Sequence, residues 1–307
     1  MAALRSFGFL ICASLPALIS AACSVSATTT LQATGDASAF SSCATFTGSI
    51  AIATGVTGQI VFNGPKRLTG NFVADSSDGL TSLSSDTLQT IDDALELQNL
   101  KDLDTVSFPQ LSTVNTIKWS DLPSLQRLEL TAGLRSVDTI DIRNTALLSL
   151  MGILQTRVAK SVYIANNPSL TSLELQLDNS STAVTVADNS DALALSFPNL
   201  AWCNNVTLRN VASVQLPVLT SINGSSGVYN GRLTEFKAPI LQAIEGSLVV
   251  TGNTLLSNIS LPKLRTVGGG FQVANNTAID RLEFDSLQTV SGAVSFSGNF
   301  SKYVYFF

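Results

Sequence analysis

Two carboxylates two repeats apart are where this sequence comes nearest to a reaction. Short apolar-x-apolar triplets recur along the chain, and their central residues run Glu96, Lys118, Asp141, Tyr163, Thr185 and Thr207. Strands stacked ~4.8 Å apart would leave Glu96 and Asp141 roughly 9–10 Å from one another, at the edge of the separation used by inverting glycoside hydrolases. Lys118 lies between them, and an opposite charge favours both carboxylates staying ionised. A general acid requires the reverse. The column Glu96, Lys118, Asp141 and Tyr163 therefore reads as a solvated outward ladder, with a parallel β-helix polysaccharide hydrolase or lyase as the alternative. Glu129, Glu174, Lys237 and Glu283 are dispersed over later positions.

Other chemistry is thinner. Histidine is absent from the 307 residues, which removes the usual general base, the commonest metal ligand and the triads built on it. Carboxylates alone are then left as ligands, so neither a metal nor a cofactor is expected. Gly268-Gly269-Gly270 precedes a strand rather than a helix and fails the context of a phosphate loop. With 17 Lys+Arg against 22 Asp+Glu, the chain lacks the clustered cations that a nucleic-acid partner needs. Sequons at Asn179, Asn205, Asn223, Asn258, Asn275 and Asn299 are candidate N-glycan acceptors. Asn275 and Asn299 coincide with a repeat column, which makes Asn179 and Asn223 the stronger candidates.

Repetition sets the elements that would position these residues. The triplets begin at Leu95, Ile117, Ile140, Val162, Val184, Val206, Val228, Leu248, Phe271 and Val294, in steps of 20 to 23 residues. One of them, Val228-Tyr229-Asn230, departs from the pattern at its last position. Backward extrapolation lands near Phe72 and on Ile50-Ala51-Ile52. After the triplet comes Asn (Asn99, Asn144, Asn167, Asn189, Asn210, Asn253, Asn275, Asn299), then an LxxLxL stretch such as Leu170-Leu173-Leu175. A Pro-x-Leu-x-x-Val turn such as Pro109-Leu111-Val114 closes the unit, and a Gly often precedes the next triplet.

Period-two alternation turns the triplet ends inward and the middle residue outward. Pro lacks a ladder donor and so marks a corner, Gly permits tight turning, and Asn favours bends. A unit this short cannot bury its own apolar edge, so units must stack. The expected fold is all-β: a right-handed parallel β-solenoid of about twelve coils of 22–23 residues. Two parallel sheets should run its length, one from the triplets and one from the LxxLxL segments. A leucine-rich horseshoe with outer helices is the competing reading, but its helix segment would be short and Pro-started.

Residues 1–22 read as a signal peptide: Arg5, an apolar run from Phe7 to Ile19, then small residues before Cys23. Residues 23–48 would form an N-terminal cap, 49–300 the solenoid and 301–307 a short atypical tail. Export implies an oxidising compartment, so Cys23 and Cys43 are free to pair and staple the start of the fold. Cys203 aligns with the inward Ile222 slot and is expected to be a buried free thiol. A bacterial lipoprotein anchored at Cys23 is a weaker alternative, because Ser20 stands where a lipobox needs an aliphatic residue.

The ordered series resembles the fungal extracellular-matrix and sporulation-specific cell-wall proteins, whose repeats are similar to receptor L domains. The resemblance rests on Cys43-Ala44-Thr45-Phe46-Thr47-Gly48, Leu80-Thr81-Ser82-Leu83-Ser84, Ser107-Phe108-Pro109 through Trp119, Phe197-Pro198-Asn199-Leu200-Ala201-Trp202 and Val267-Gly268-Gly269-Gly270 through Thr277. It implies a secreted, non-catalytic glycoprotein of the fungal cell wall or outer plasma-membrane face, contributing to wall organisation and integrity. Cell-wall polysaccharides or wall mannoproteins are the implied partners, and the shared repeat also permits a receptor-like ligand-binding ectodomain. Members of the family continue into a Ser/Thr-rich stalk and a GPI signal, the implied route to the membrane. Lys302 to Phe307 carry no such signal, and a coding sequence shortened after Phe300 is the expectation.

Overall fold

The computed structural model describes residues 23–153 and 157–297. The expected signal peptide, the 301–307 tail and Asn299 lie outside the described residues.

The triplets stack. Triplets starting at Ile50, Phe72, Leu95, Ile117, Ile140, Val162, Val184 and Val206 align in register as parallel strands. The series continues through Ser226, Leu248, Phe271 and Val294, giving twelve coils numbered here in that order. One long sheet of 18 strands carries them all. Triplet ends such as Leu95 and Leu97, Ile117 and Trp119, or Ile140 and Ile142 are fully buried. Each such apolar side chain contributes about 1.5–3 kcal/mol of burial, and only a neighbouring coil can supply the cover. The result is one continuous apolar interior from Leu31 to Phe284.

One triplet sits two residues earlier than the apolar pattern suggests. Leu208 pairs with Val228, and Val206 with Ser226, so coil 9 presents Ser226-Gly227-Val228 rather than Val228-Tyr229-Asn230. Ser226 is buried although polar, which is why an apolar template slides past it. Tyr229 consequently lies outside the middle column. Its ring occupies the space a Cβ at residue 227 would need, so a side chain there would have to displace the ring.

The asparagines after the triplets form two columns, not one. Ser76, Asn99, Asp121, Asn144, Asn166, Asp188, Asn210, Asn230 and Asn275 all take positive φ between 51° and 58°, the left-handed region that Asn and Asp tolerate best. The next residue inward is a buried ladder in several coils. Asn167 Nδ2 donates to Asn189 Oδ1 at 2.9 Å, and Asn253 Nδ2 to Asn276 Oδ1 at 3.1 Å. The same amides donate to strand carbonyls, as Asn189 does to Ile164 and Asn276 to Val250. These bonds satisfy backbone groups that the chain leaves unpaired where it turns off the sheet.

Glycines before the triplets serve close approach. Gly246 N–H donates to Gly224 at 2.7 Å, Gly269 to Gly246 at 2.8 Å and Gly292 to Gly269 at 3.0 Å. A Cβ at Gly246 would come within 2.7 Å of the Gly224 carbonyl.

The second face is interrupted, contrary to the expectation of a sheet running the full length. Its strands fall into three sets: 58–61, 80–84, 105–107 and 127–129; then 172–174, 194–196 and 213–215; then 235–237, 258–260 and 281–283. In coil 5 the buried residues are Leu147, Leu150 and Ile153, a three-residue spacing that cannot alternate faces as a strand must. Coil 8 is short: Asn210 and Val214 are aligned with Asp188 and Leu195, three residues fewer in the connecting turn. The ladder to the next coil lapses there.

At the N-terminus, Ser24–Leu31 pairs in parallel with Thr45–Ile52 and covers the first coil's edge. Cys23 and Cys43 are disulfide-bonded with Cα atoms 5.6 Å apart. A 3₁₀ turn at Asp36–Phe40 buries Phe40 edge-on against Phe46, 4.9 Å between centroids. Among the described residues there is no α-helix, and no helix long and apolar enough to cross a membrane.

Candidate functional site

The outward middle column reads Ala51, Val73, Glu96, Lys118, Asp141, Tyr163, Thr185, Thr207, Gly227, Val249, Gln272 and Ser295, in register along the long sheet. Sequence alternation therefore places Glu96, Lys118, Asp141 and Tyr163 side by side. Their pairing differs from a simple ladder. Lys118 Nζ approaches Glu96 Oε2 at 3.3 Å, and Gln98 Nε2 donates to the same oxygen at 3.2 Å. Asp141 is instead taken by Arg143 two residues along its own strand, with Nε 2.9 Å from Oδ1. The guanidinium carbon of Arg143 then lies 5.6 Å from the centre of the Tyr163 ring. Arg143 was not singled out in the sequence, although period-two alternation from Asp141 would have put it on this face.

Arg209 repeats the arrangement over Tyr229, 5.4 Å from the ring centre. These are partly exposed contacts on a flat sheet, each worth no more than about 1 kcal/mol. Neither Glu96 nor Asp141 lines any of the three main surface grooves. The geometry thus offers the carboxylates neighbouring cations and solvent. Among the described residues no group of three or more His, Cys, Asp or Glu side chains could hold a metal.

Cys203 is fully buried in the inward slot, and burial pushes its thiol up to about 12. It is a core residue, inert as a nucleophile.

The sequons separate by environment. Asn223 and Asn275 are exposed, each in a turn beside the long sheet. Asn179 is half-buried at the start of its strand. Asn205 donates Nδ2 to the Thr182 carbonyl at 3.1 Å and accepts from Ser225 N–H at 2.9 Å. Asn258 donates Nδ2 to Glu235 Oε1 at 2.8 Å. Asn275 is more accessible than its place in a repeat column suggested, because the buried ladder position belongs to Asn276, one residue on.

On the second face the outward residues of the first and third strand sets bind one another. Arg127 donates Nε to Thr105 Oγ1 at 2.8 Å and pairs with Asp104 at 2.7 Å, while Ser107 donates to Glu129 at 2.7 Å. Thr105 and Arg127 hold the Asp104 carboxyl below its ordinary range. Likewise Lys237, then Asn258, hold Glu235 low. The middle set differs: its outward residues are Ser172, Ala194 and Ser213 in one column and Glu174, Ser196 and Gln215 in the other. They line a groove of about 340 Å³.

Comparison with known proteins adds the lineage. The chain is 36% identical over 235 residues to the protein ecm33 of Aspergillus fumigatus, covering 76% of this chain and 58% of that protein. It is 35% identical over 233 residues to a cell surface GPI-anchored protein of Arthroderma benhamiae, covering 76% and 59% respectively. It is 30% identical over 224 residues to the cell wall mannoprotein PST1 of Saccharomyces cerevisiae, covering 73% and 50%. The chain thus spans 50% to 59% of the length of these three relatives. No family profile and no solved structure matches it. Over its stacked coils, the chain belongs to the fungal cell-wall protein family that includes ecm33 and PST1.

Proposed function

We propose that this protein is a non-catalytic component of the fungal cell surface that contributes to wall organisation and integrity. The observation that carries this reading is the length of the match: about three-quarters of the chain aligns with relatives named as cell-wall or GPI-anchored surface proteins. The shape suits the task. Twelve coils in register make a rod roughly 55 Å long, with a continuous interior to stiffen it. Its outward middle column includes Thr185, Thr207, Gln272 and Ser295, which can hydrogen-bond to hydroxyl-rich polymers. Wall polysaccharides and mannoproteins are the partner classes of this reading, and the exposed Asn223 and Asn275 are its first glycan acceptors.

The hydrolase alternative has no geometric support beyond the spacing of Glu96 and Asp141. A receptor-like role is the second reading, favoured only by the repeat architecture, and fold alone does not assign it.

Deletion in the native host tests the proposal. Growth on wall-perturbing dyes and sensitivity to wall-digesting enzymes should worsen on deletion and recover with the wild-type gene. Unchanged wall resistance in the deletion strain would overturn it. Release of sugar from wall polymers by purified protein, abolished by Glu96→Gln or Asp141→Asn, would move the protein to the hydrolases.

A further inference from the structure

The middle strand set of the second face differs from its neighbours in one respect that bears on binding. In strands 105–107 and 127–129 on one side, and 235–237 and 258–260 on the other, polar and charged side chains pair across coils: Arg127 with Asp104 and Thr105, Ser107 with Glu129, Asn258 with Glu235. In strands 172–174, 194–196 and 213–215 the outward side chains are short and neutral apart from Glu174. The hydroxyls of Ser172, Ser196 and Ser213 and the amide of Gln215 are therefore directed outward among small neighbours, along three strands paired in register. Glu174 is the exception and is already oriented: Gln176 Nε2 donates to its Oε1, and Asn199 Nδ2 donates to Gln176 Oε1 at 2.8 Å. Glu174 lines the groove.

The floor is thus a shallow trough across three coils, walled on one side by the coil that carries Glu235 and Lys237. Its lining combines hydroxyl donors and acceptors, one amide and one carboxylate, with the Lys237 ammonium on the bounding coil. That composition is dominated by neutral hydrogen-bonding groups rather than by charge. It matches a chain rich in neutral hydroxyls. We propose that this trough, lined by Ser172, Glu174, Ser196, Ser213 and Gln215, binds a neutral wall polysaccharide chain lying across the strands. The inference rests on the wall role proposed above and assigns that role a surface.

The test uses secreted full-length protein and co-sedimentation with particulate β-glucan, chitin and mannan, with polygalacturonate as an anionic control. Wild type should be retained by at least one neutral polymer and not by the polyanion. Ser196→Arg with Ser213→Arg should weaken retention at least tenfold, while Thr185→Arg with Thr207→Arg on the long sheet should stay within twofold. Where the arginine pair lowers secretion, Glu174→Gln with Gln215→Ala serves instead and should weaken retention several-fold. Retention of the trough variants at wild-type level, equal losses on both faces, or no retention of wild type would each overturn the assignment. Reintroducing the same variants into the deletion strain separates the two ideas. Wild-type protein that restores wall resistance but binds none of the polymers leaves the wall role standing and removes the trough. Trough-dependent binding by a protein whose deletion leaves the wall unchanged removes the wall role instead.

Discussion

Asn167 and Asn189 sit one coil apart in the same buried column, and the amide of the first donates to the carbonyl of the second at 2.9 Å. Asn189 Oδ1 also accepts the backbone N–H of Asn167 at 3.1 Å. A single side chain therefore closes two bonds to the preceding coil, while its own Nδ2 reaches Ile164. Side-chain amides complete the ladder where the strand has ended.

Replacing Asn189 by Leu should orphan the Asn167 backbone N–H and take a donor from the Ile164 carbonyl, while Asn167 Nδ2 keeps the Ile142 and Ala165 carbonyls. The expected loss is about 1–3 kcal/mol for the orphaned N–H. Urea denaturation followed by far-UV circular dichroism reads it as a lower midpoint. Asn223→Leu, an exposed position, should shift the midpoint little.

Gly246 should tolerate no side chain. A Cβ would press on the Gly224 carbonyl, and the shift needed would propagate to Gly269 above. Gly246→Ala is expected to cost about 1–3 kcal/mol, as overpacking does. Gly35→Ala, where the added carbon meets nothing within 4 Å, should be neutral or slightly stabilising in the same thermal melts.

The Cys203 thiol is held protonated by burial, with its folded value raised from 9.0 to about 12. A group raised on folding supports the fold fully below its unfolded value and withdraws that support as pH climbs through the folded one. Stability should therefore decline between about pH 9 and 12 beyond what tyrosine and lysine ionisation explain. Melts of wild type and Cys203→Val over that window isolate the contribution. At pH 8, native protein should resist thiol reagents and react only once unfolded.

The outward pair Glu96–Lys118 should matter little to stability. Both partners are partly exposed, and Lys118→Gln should cost under about 1 kcal/mol, less in high salt. Salt-dependent melts of the single and double variants measure the coupling.

Much of this architecture is legible in the residues because burial repeats with the coil. The period, the inward triplet ends and the outward Glu96-to-Thr207 column all follow from alternation plus the need to cover apolar edges. What escaped was governed by contacts the pattern does not encode. Ser226 is buried where the pattern calls for an apolar residue, and Gly227 beside it lies under the Tyr229 ring. Asn275 and Asn276 are neighbours with opposite environments, and only the left-handed turn between strand and ladder tells them apart. The breaks in the second face come from a changed leucine spacing in coil 5 and a shortened turn in coil 8. The trough was illegible for a different reason: serines and an alanine carry no signal until their neighbours across coils are known.

The central claim is that coil number equals position along one axis. Nitroxide pairs at Lys118→Cys with Thr207→Cys, and at Lys118→Cys with Gln272→Cys, read it directly by pulsed dipolar spectroscopy. These positions are four and seven coils apart in one column, so the separations should centre near ~19 Å and ~34 Å, about 4.8 Å per coil. Separations that do not grow in proportion to coil number would contradict the stack and everything built on it.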